Sequence, residues 1–181
     1  ATLIAEAEAA AAGDGTLFLP HLRLGSPPYP DPVARGAFLG VSSATGRGTL
    51  FRAVLEGIAL DGAHILDSML RLLAVPAPRR ILAIGGSTRN SMLMRLKASA
   101  FGTPLAVLEL PDITCLGAAL LGGIAGGVFA DLAQARAALE VPVRNVAPLP
   151  EWDERHRGRR LAVYAAAYEA VRPLHGRLLE A

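Results

Sequence analysis

A buried strand that runs through two glycines toward a helix is the feature that most constrains how this chain folds. Residues 81–84 form a continuous apolar run, which is typical of a strand covered on both faces of a sheet. Gly85 and Gly86 follow at once, and a helical pattern begins between residues 87 and 90 and stops before Gly102. A strand, a glycine turn and a helix in this order are typical of α/β sheets.

Strand and helix patterns alternate along the rest of the chain. The strand patterns cover residues 16–20, 36–41 and 105–108. The helical patterns cover residues 1–12, about 49–73, a glycine-rich segment from about 114, 132–139 and about 153–179. Shaped loops are expected around the prolines at residues 27–32 and between the last two helices. The alternation predicts an α/β fold in which a sheet is layered with helices.

Composition and charge exclude several classes of protein. Hydrophobic residues make up 52% and charged residues 19%, so the chain is predicted to be globular and not intrinsically disordered. A net charge of +2 gives no indication of nucleic-acid binding, and the arginines at residues 155–160 stand among acidic residues, as in a structural cluster. The single cysteine, Cys115, cannot form an intramolecular disulfide, which favours the cytoplasm. Cys115 is expected to be a small core residue.

Neither a leader nor a membrane span is expected. Glu6 and Glu8 interrupt the alanine-rich start, whereas a secretory signal needs a basic start and an unbroken apolar run. The uncharged segment 113–130 is just long enough to cross a bilayer. It contains five glycines, however, and these favour close backbone packing in a soluble core.

The glycine pair predicts a site for an anion. Glycine lets a ligand approach the backbone, and the first N–H groups of a helix favour negative charge. A nucleotide phosphate is therefore one candidate ligand. The alternative is a tight turn in which Ser87 or Thr88 only caps the helix, and the local sequence leaves both open. The segment is neither a P-loop nor a dinucleotide-binding fingerprint.

Three separated segments together resemble the carboxy-terminal domain of the FGGY carbohydrate kinases. Residues 36–41 and, after a gap of seven, residues 49–57 are similar to one family signature, although Thr49 stands where the family usually has His, Asp, Glu, Asn or Gln. The Gly85-Gly86 turn with Asn90 four residues later is similar to the family's ADP-contacting segment. Residues 116–121 are similar to the Gly-Ala-Ala helix that borders its nucleotide pocket. Ser99 also departs from the family, where aspartate is common at this position.

The resemblance implies a ribonuclease H-like, actin-like ATPase lobe and a set of nucleotide-binding residues. In this family two lobes close on ATP and Mg²⁺ while a sugar or polyol receives the γ-phosphate. Gly85 and Gly86 are implied to admit the nucleotide against the backbone, and Ser87 to bond a phosphate or the ribose. Asn90 is implied to offer its amide, and Gly117 to let its helix approach the adenosine.

The resemblance also implies that residues 1–181 form the carboxy-terminal kinase domain, incomplete at its amino-terminal side. The family's amino-terminal lobe carries the aspartate base and most of the sugar pocket, and neither is recognisable here. No catalytic residue is therefore predicted, and the chain alone is expected to be inactive. The four histidines show no spacing typical of metal ligands, so no protein metal site is predicted either. Glu56 lies four residues after Arg52 and is predicted to form a structural ion pair.

The alternative function is a non-catalytic, actin-like nucleotide-binding or structural module. A protein that uses segment 113–130 at a membrane is a weaker alternative. A sugar or polyol is the expected substrate partner, no nucleic-acid or membrane partner is expected, and a homodimer is left open. The sequence does not indicate which sugar or polyol is used.

Overall fold

A computed structural model describes residues 2–10, 15–25, 30–110 and 112–180. This part of the chain contains six α-helices and five short strands. The helices are α1 (Leu3–Ala9), α2 (Arg47–Leu73), α3 (Ser91–Phe101), α4 (Ile113–Ala125), α5 (Leu132–Ala137) and α6 (Glu154–Glu180). The strands are β1 (Leu17–Leu19), β2 (Ala37–Leu39), β3 (Ile81–Ala83), β4 (Leu105–Leu108) and β5 (Val143–Val146). Residues 1, 11 and 12 of the predicted first helix and residues 27–29 of the predicted proline loop lie outside the described residues.

The strands form two small sheets. In the first, β1 and β2 pair antiparallel. In the second, the order is β3-β4-β5, with β3 parallel to β4 and β5 antiparallel to β4. A parallel β3–β4 pair joined through α3 confirms the predicted α/β class.

The sequence reading of this second sheet was wrong in two places. Residues 143–146 were expected in a loop, but they form the edge strand β5. Arg144 of this strand lies opposite Val107 of β4. Arg144 and Asn145 stand between the two valines of this segment, so no apolar run marks the strand. Strand β3 was expected to be fully buried, yet Leu82 is 55% exposed and Ile84 is 52% exposed. Among the described strands β3 is at the edge of the sheet, which explains this exposure.

Helix α2 is the centre of the packing. It contacts α1, α3, α6 and β1, and its central part supplies core residues such as Leu55 and Leu60. The apolar face was predicted to reach the end of the helix, but Met69 and Leu73 are more than half exposed. Gly57 lies against the backbone of β1, so the helix and the strand can approach closely only at a residue without a side chain.

The predicted ion pair of Arg52 and Glu56 is present and buried. The Arg52 Nε donates to Glu56 Oε1 at 2.8 Å. Arg160 of α6 donates to the other carboxylate oxygen at 2.7 Å. A carboxylate held by two arginines ties α2 to α6, which confirms a structural role for Glu56.

Ser99 keeps a structural hydrogen-bonding role even though it differs from the family's usual aspartate. Its hydroxyl donates to the Arg95 carbonyl at 2.7 Å and accepts from the Leu149 backbone N–H at 2.8 Å. The side chain is fully buried. Serine at this position therefore anchors the segment that precedes α6.

Helix α4 was predicted to pack in a core, but it lies near the surface of the described structure. It contacts mainly α5, and its described side chains are exposed or half-buried. Cys115 is exposed and free, so the prediction of a core cysteine was wrong. The described residues cover the apolar side chains of α4 only in part, mainly through α5. Among the described helices, none has the length and apolarity needed to cross a membrane.

Candidate functional site

The two glycines begin a tight turn at the carboxyl end of β3, and we call residues 85–89 the glycine turn. Gly85 has φ +92°, a conformation that side chains rarely adopt, so glycine is required there by the backbone itself. Residues 86–89 form one turn of 3₁₀-helix. The Thr88 backbone N–H and hydroxyl both donate to the Gly85 carbonyl, at 3.1 and 2.7 Å. These bonds close the turn on itself.

The glycines do not lead directly into an α-helix, which corrects the argument made from the sequence. Helix α3 begins only at Ser91, after the 3₁₀ turn. Asn90 is its N-cap, and the side-chain Oδ1 accepts from the Leu93 N–H at 3.0 Å. The cap is therefore Asn90 and neither Ser87 nor Thr88. Because the cap occupies an N–H group of the first helical turn, the dipole argument for an anion loses force here.

An open cleft of about 330 Å³ lies beside the glycine turn. One wall is the turn itself and the other is the carboxyl end of β4 with the side chain of Arg144. The lining residues are Gly85, Gly86, Thr88, Arg89, Val107, Leu108, Glu109, Leu110 and Arg144. In α/β sheets, ligands bind at the carboxyl ends of the strands, which is where this cleft lies.

Gly86 leaves space at the edge of this cleft. A Cβ built at Gly86 would have no atom of the described residues within 4 Å, and the backbone there is not in the left-handed region. The described residues therefore give no steric reason for a glycine at position 86. A ligand that approaches the backbone would supply such a reason.

An ion pair that no sequence pattern predicted lines the cleft. Arg144 Nε donates to Glu109 Oε1 at 2.7 Å, and its Nη2 donates to the Thr88 carbonyl at 3.2 Å. The Glu109 backbone N–H donates to the Pro142 carbonyl at 2.9 Å, so the ends of β4 and β5 are joined as well. The pairing register of β5 places Arg144 beside the glycine turn, and no local sequence pattern predicts this position. Arg89 is a second, exposed cation of the cleft.

The structure separates the five predicted site residues. Gly85 and Gly86 line the cleft, but Ser87 is exposed and faces a different groove, beside β3, together with Lys97. Burial lowers the pKa of Lys97.

Asn90 follows the glycine turn, and its side-chain oxygen accepts the N-cap bond of α3. Gly117 lies on α4 and is not among the residues that line the cleft. A Cβ at Gly117 would meet no atom of the described residues within 4 Å. Its expected close approach to a neighbouring element is therefore not made within this part of the chain. Nucleotide contacts at Ser87, Asn90 and Gly117 remain predictions.

Comparisons with known proteins agree with the resemblance to carbohydrate kinases. The profile of the "FGGY family of carbohydrate kinases, C-terminal domain" matches residues 1–126. A glycerol kinase from Dechloromonas aromatica is 35% identical over 170 residues, which are 92% of this chain and 32% of that protein. The crystal structure of a xylulose kinase from Rhodospirillum rubrum aligns with a TM-score of 0.77 and 30% identity, over 96% of this chain and 34% of the other.

A more distant structure extends the likeness of fold. The Plasmodium falciparum glycerol kinase, crystallised with ADP, aligns with a TM-score of 0.80 at 24% identity, over 93% of this chain and 33% of that one. These likenesses confirm the predicted actin-like ATPase lobe. The chain spans about a third of the length of the relatives that it matches.

Proposed function

The chain belongs to the FGGY family of carbohydrate kinases, and from this we propose that it forms the nucleotide-binding side of an ATP-dependent sugar or polyol kinase. Residues 1–181 would act as the carboxy-terminal domain, and the rest of the kinase would supply the sugar pocket and the catalytic base. Relatives named glycerol kinase and xylulose kinase support an alcohol group of a sugar or polyol as the phosphate acceptor.

The observation that carries the proposal is the glycine turn beside an open cleft. Gly85 holds a backbone conformation that suits only glycine, and Gly86 leaves open the space that a side chain would fill. Both follow the carboxyl end of β3, and the cleft beside them also reaches the carboxyl end of the parallel strand β4. A flat or anionic ligand can therefore approach the backbone closely at this point.

The residues of the cleft fit ATP. Arg89 supplies a positive charge that can face phosphate oxygens, and the apolar side chains of Val107 and Leu108 cover the opposite wall. Asn90 lies at the end of the turn, where its side-chain NH₂ group is not used by the cap bond to Leu93. We assign nucleotide contact to Gly85 and Gly86 first, and to Ser87, Asn90 and Gly117 second.

The described residues do not form a metal site. They contain no group of three His, Cys, Asp or Glu side chains that could hold an ion. Glu109, the carboxylate that lines the cleft, is paired with Arg144. We infer that Mg²⁺ enters with the phosphates of ATP, where it would neutralise charge during phosphoryl transfer. This chain would orient the nucleotide, which is the main contribution that such reactions need from a protein.

The test is an assay of ADP release by the complete gene product with ATP, Mg²⁺ and a panel that includes glycerol, xylulose and gluconate. One acceptor should stimulate ADP release strongly, and Gly86→Val should raise the KM for ATP at least about tenfold because the side chain enters the cleft. Gly122→Ala on α4 is the matched control, since a Cβ there also meets no described atom and lies outside the cleft. Equal KM values for ATP in both variants would contradict the proposed site.

A further inference from the structure

We propose that Arg144 is a positioning residue for the nucleotide: its guanidinium braces the glycine turn from the opposite edge of the sheet. This inference rests on the proposed function of the cleft. It concerns a residue that lies beyond the segment matched by the family profile, which ends at residue 126.

The bonds of Arg144 connect three separate parts of the fold. The residue lies on β5, opposite Val107 of the middle strand. Its Nη2 reaches the Thr88 carbonyl at 3.2 Å, so an edge strand holds a turn that follows the strand at the other edge. Thr88 closes the turn through its two bonds to Gly85. Arg144 therefore acts on the backbone of the two glycines through a single residue.

Glu109 fixes the direction in which Arg144 points. Its carboxylate accepts from the Arg144 Nε at 2.7 Å, and its own backbone is tied to Pro142 by a 2.9 Å bond. A guanidinium is a rigid planar group, so fixing one edge of it also aims the remaining N–H groups. The pair is about half exposed, and it contributes little to global stability by charge alone. Its local effect on the turn is therefore its main consequence.

The same pairing argues against Arg144 as a direct ligand of phosphate. The charge of the guanidinium is offset by Glu109, and two of its N–H groups are committed to protein acceptors. Arg89, which lines the same cleft, forms no ion pair among the described residues. The free positive charge of the cleft thus belongs to Arg89, and Arg144 sets the shape of the wall.

The test measures amide hydrogen exchange in the complete gene product without nucleotide, so it does not depend on kinase activity. In Arg144→Gln, the amides of Thr88 and Asn90, which close the turn, should exchange about fivefold to tenfold faster. Glu109→Gln should accelerate exchange of these amides less. Arg144 can still donate to the Thr88 carbonyl, although Glu109 no longer fixes its guanidinium. Arg136→Gln on exposed α5 removes the same charge far from the turn and should leave both amides unchanged.

Binding of ATP gives the second readout. Arg144→Gln should raise the KM for ATP about fivefold while kcat changes less than twofold, and amides of the core strand β1 should keep their exchange rates. Wild-type exchange of Thr88 and Asn90 in Arg144→Gln would overturn the brace. If ATP binding weakens with unchanged exchange, Arg144 contacts the nucleotide directly and the proposal is also wrong. Failure of the protein to bind ATP at all would contradict the proposed function but would leave the exchange test of the brace intact.

Discussion

Replacing Gly57 by alanine should destabilise the protein, because helix α2 and strand β1 meet backbone to backbone at this residue. A Cβ at Gly57 would lie well inside 3.0 Å of the Phe18 carbonyl oxygen, closer than real Cβ contacts are found. It would also meet the Phe18 Cβ at 3.3 Å. Neither partner is the free end of a side chain, so the helix and the strand must move apart.

The expected magnitude follows from two opposing effects. Overpacking a core costs about 1–3 kcal/mol, and a clash with backbone lies at the upper end of that range. Alanine in place of glycine within a helix gains about 1 kcal/mol. Gly57→Ala should therefore lose about 2 kcal/mol of the free energy of unfolding, which corresponds to a melting temperature lower by about 4–8 °C.

Gly62→Ala is the matched control on the same helix. Its Cβ would meet only the ring of Phe101, at 3.3 Å, and that ring can shift by a few tenths of an ångström. The helix gain should then dominate, and Gly62→Ala should be neutral or more stable by up to about 1 kcal/mol. Both variants are compared by urea denaturation followed by circular dichroism. A Gly57→Ala midpoint equal to or above that of Gly62→Ala would refute the packing argument.

Three further substitutions test separate parts of the structure. Glu56→Gln should lose about 3 kcal/mol in urea denaturation, because it removes the charged partner of the buried Arg52 and the largely buried Arg160. Glu169→Gln, in an exposed pair, should change stability by under about 0.5 kcal/mol, and similar losses in both would contradict the buried clamp. Burial lowers the pKa of His21 below 6.5, so its neutral ring stabilises the fold above that pH and the effect is lost as the pH falls. The melting temperature of the wild type should therefore fall more between about pH 7 and about pH 5 than that of His21→Gln. An identical fall in both proteins would contradict this. Gly117→Leu should keep or slightly raise the urea midpoint, since its Cβ meets no described atom and leucine favours a helix more than glycine does. A loss of ATP affinity in calorimetry would then come from contact with the nucleotide, whereas a lowered midpoint would show that the residue packs against protein.

The sequence predicted those features that are encoded within a few neighbouring residues. The run 81–84 followed by Gly85 and Gly86 predicted a strand and a turn because apolar periodicity and glycine act locally. The pair of Arg52 and Glu56 was predicted for the same reason, since residues four apart share one face of a helix.

Features that depend on the tertiary fold were not predictable in this way. Arg160 completes the clamp on Glu56 from 104 residues away, and Arg144 reaches Thr88 across 56 residues. Asn90 was predicted from a family likeness to meet the nucleotide, whereas the structure also uses it as a helix cap. The apolar pattern of α4 indicated burial, but in the described residues its main packing partner is the short helix α5. A pattern shows that a face is apolar and does not show what covers it.

Mapping of ADP binding by nuclear magnetic resonance tests most directly whether the glycine turn receives an adenine nucleotide. Isotope-labelled protein is titrated with ADP and Mg²⁺, and the backbone amide shifts are followed. The largest changes should occur at Gly85, Gly86, Ser87 and Asn90, with a further change at Gly117, and Gly86→Val should abolish them while leaving the spectrum of the core intact. Shifts confined to the groove lined by Glu8 and Arg95 between α1 and α3, or no saturable shifts at all, would contradict the claim.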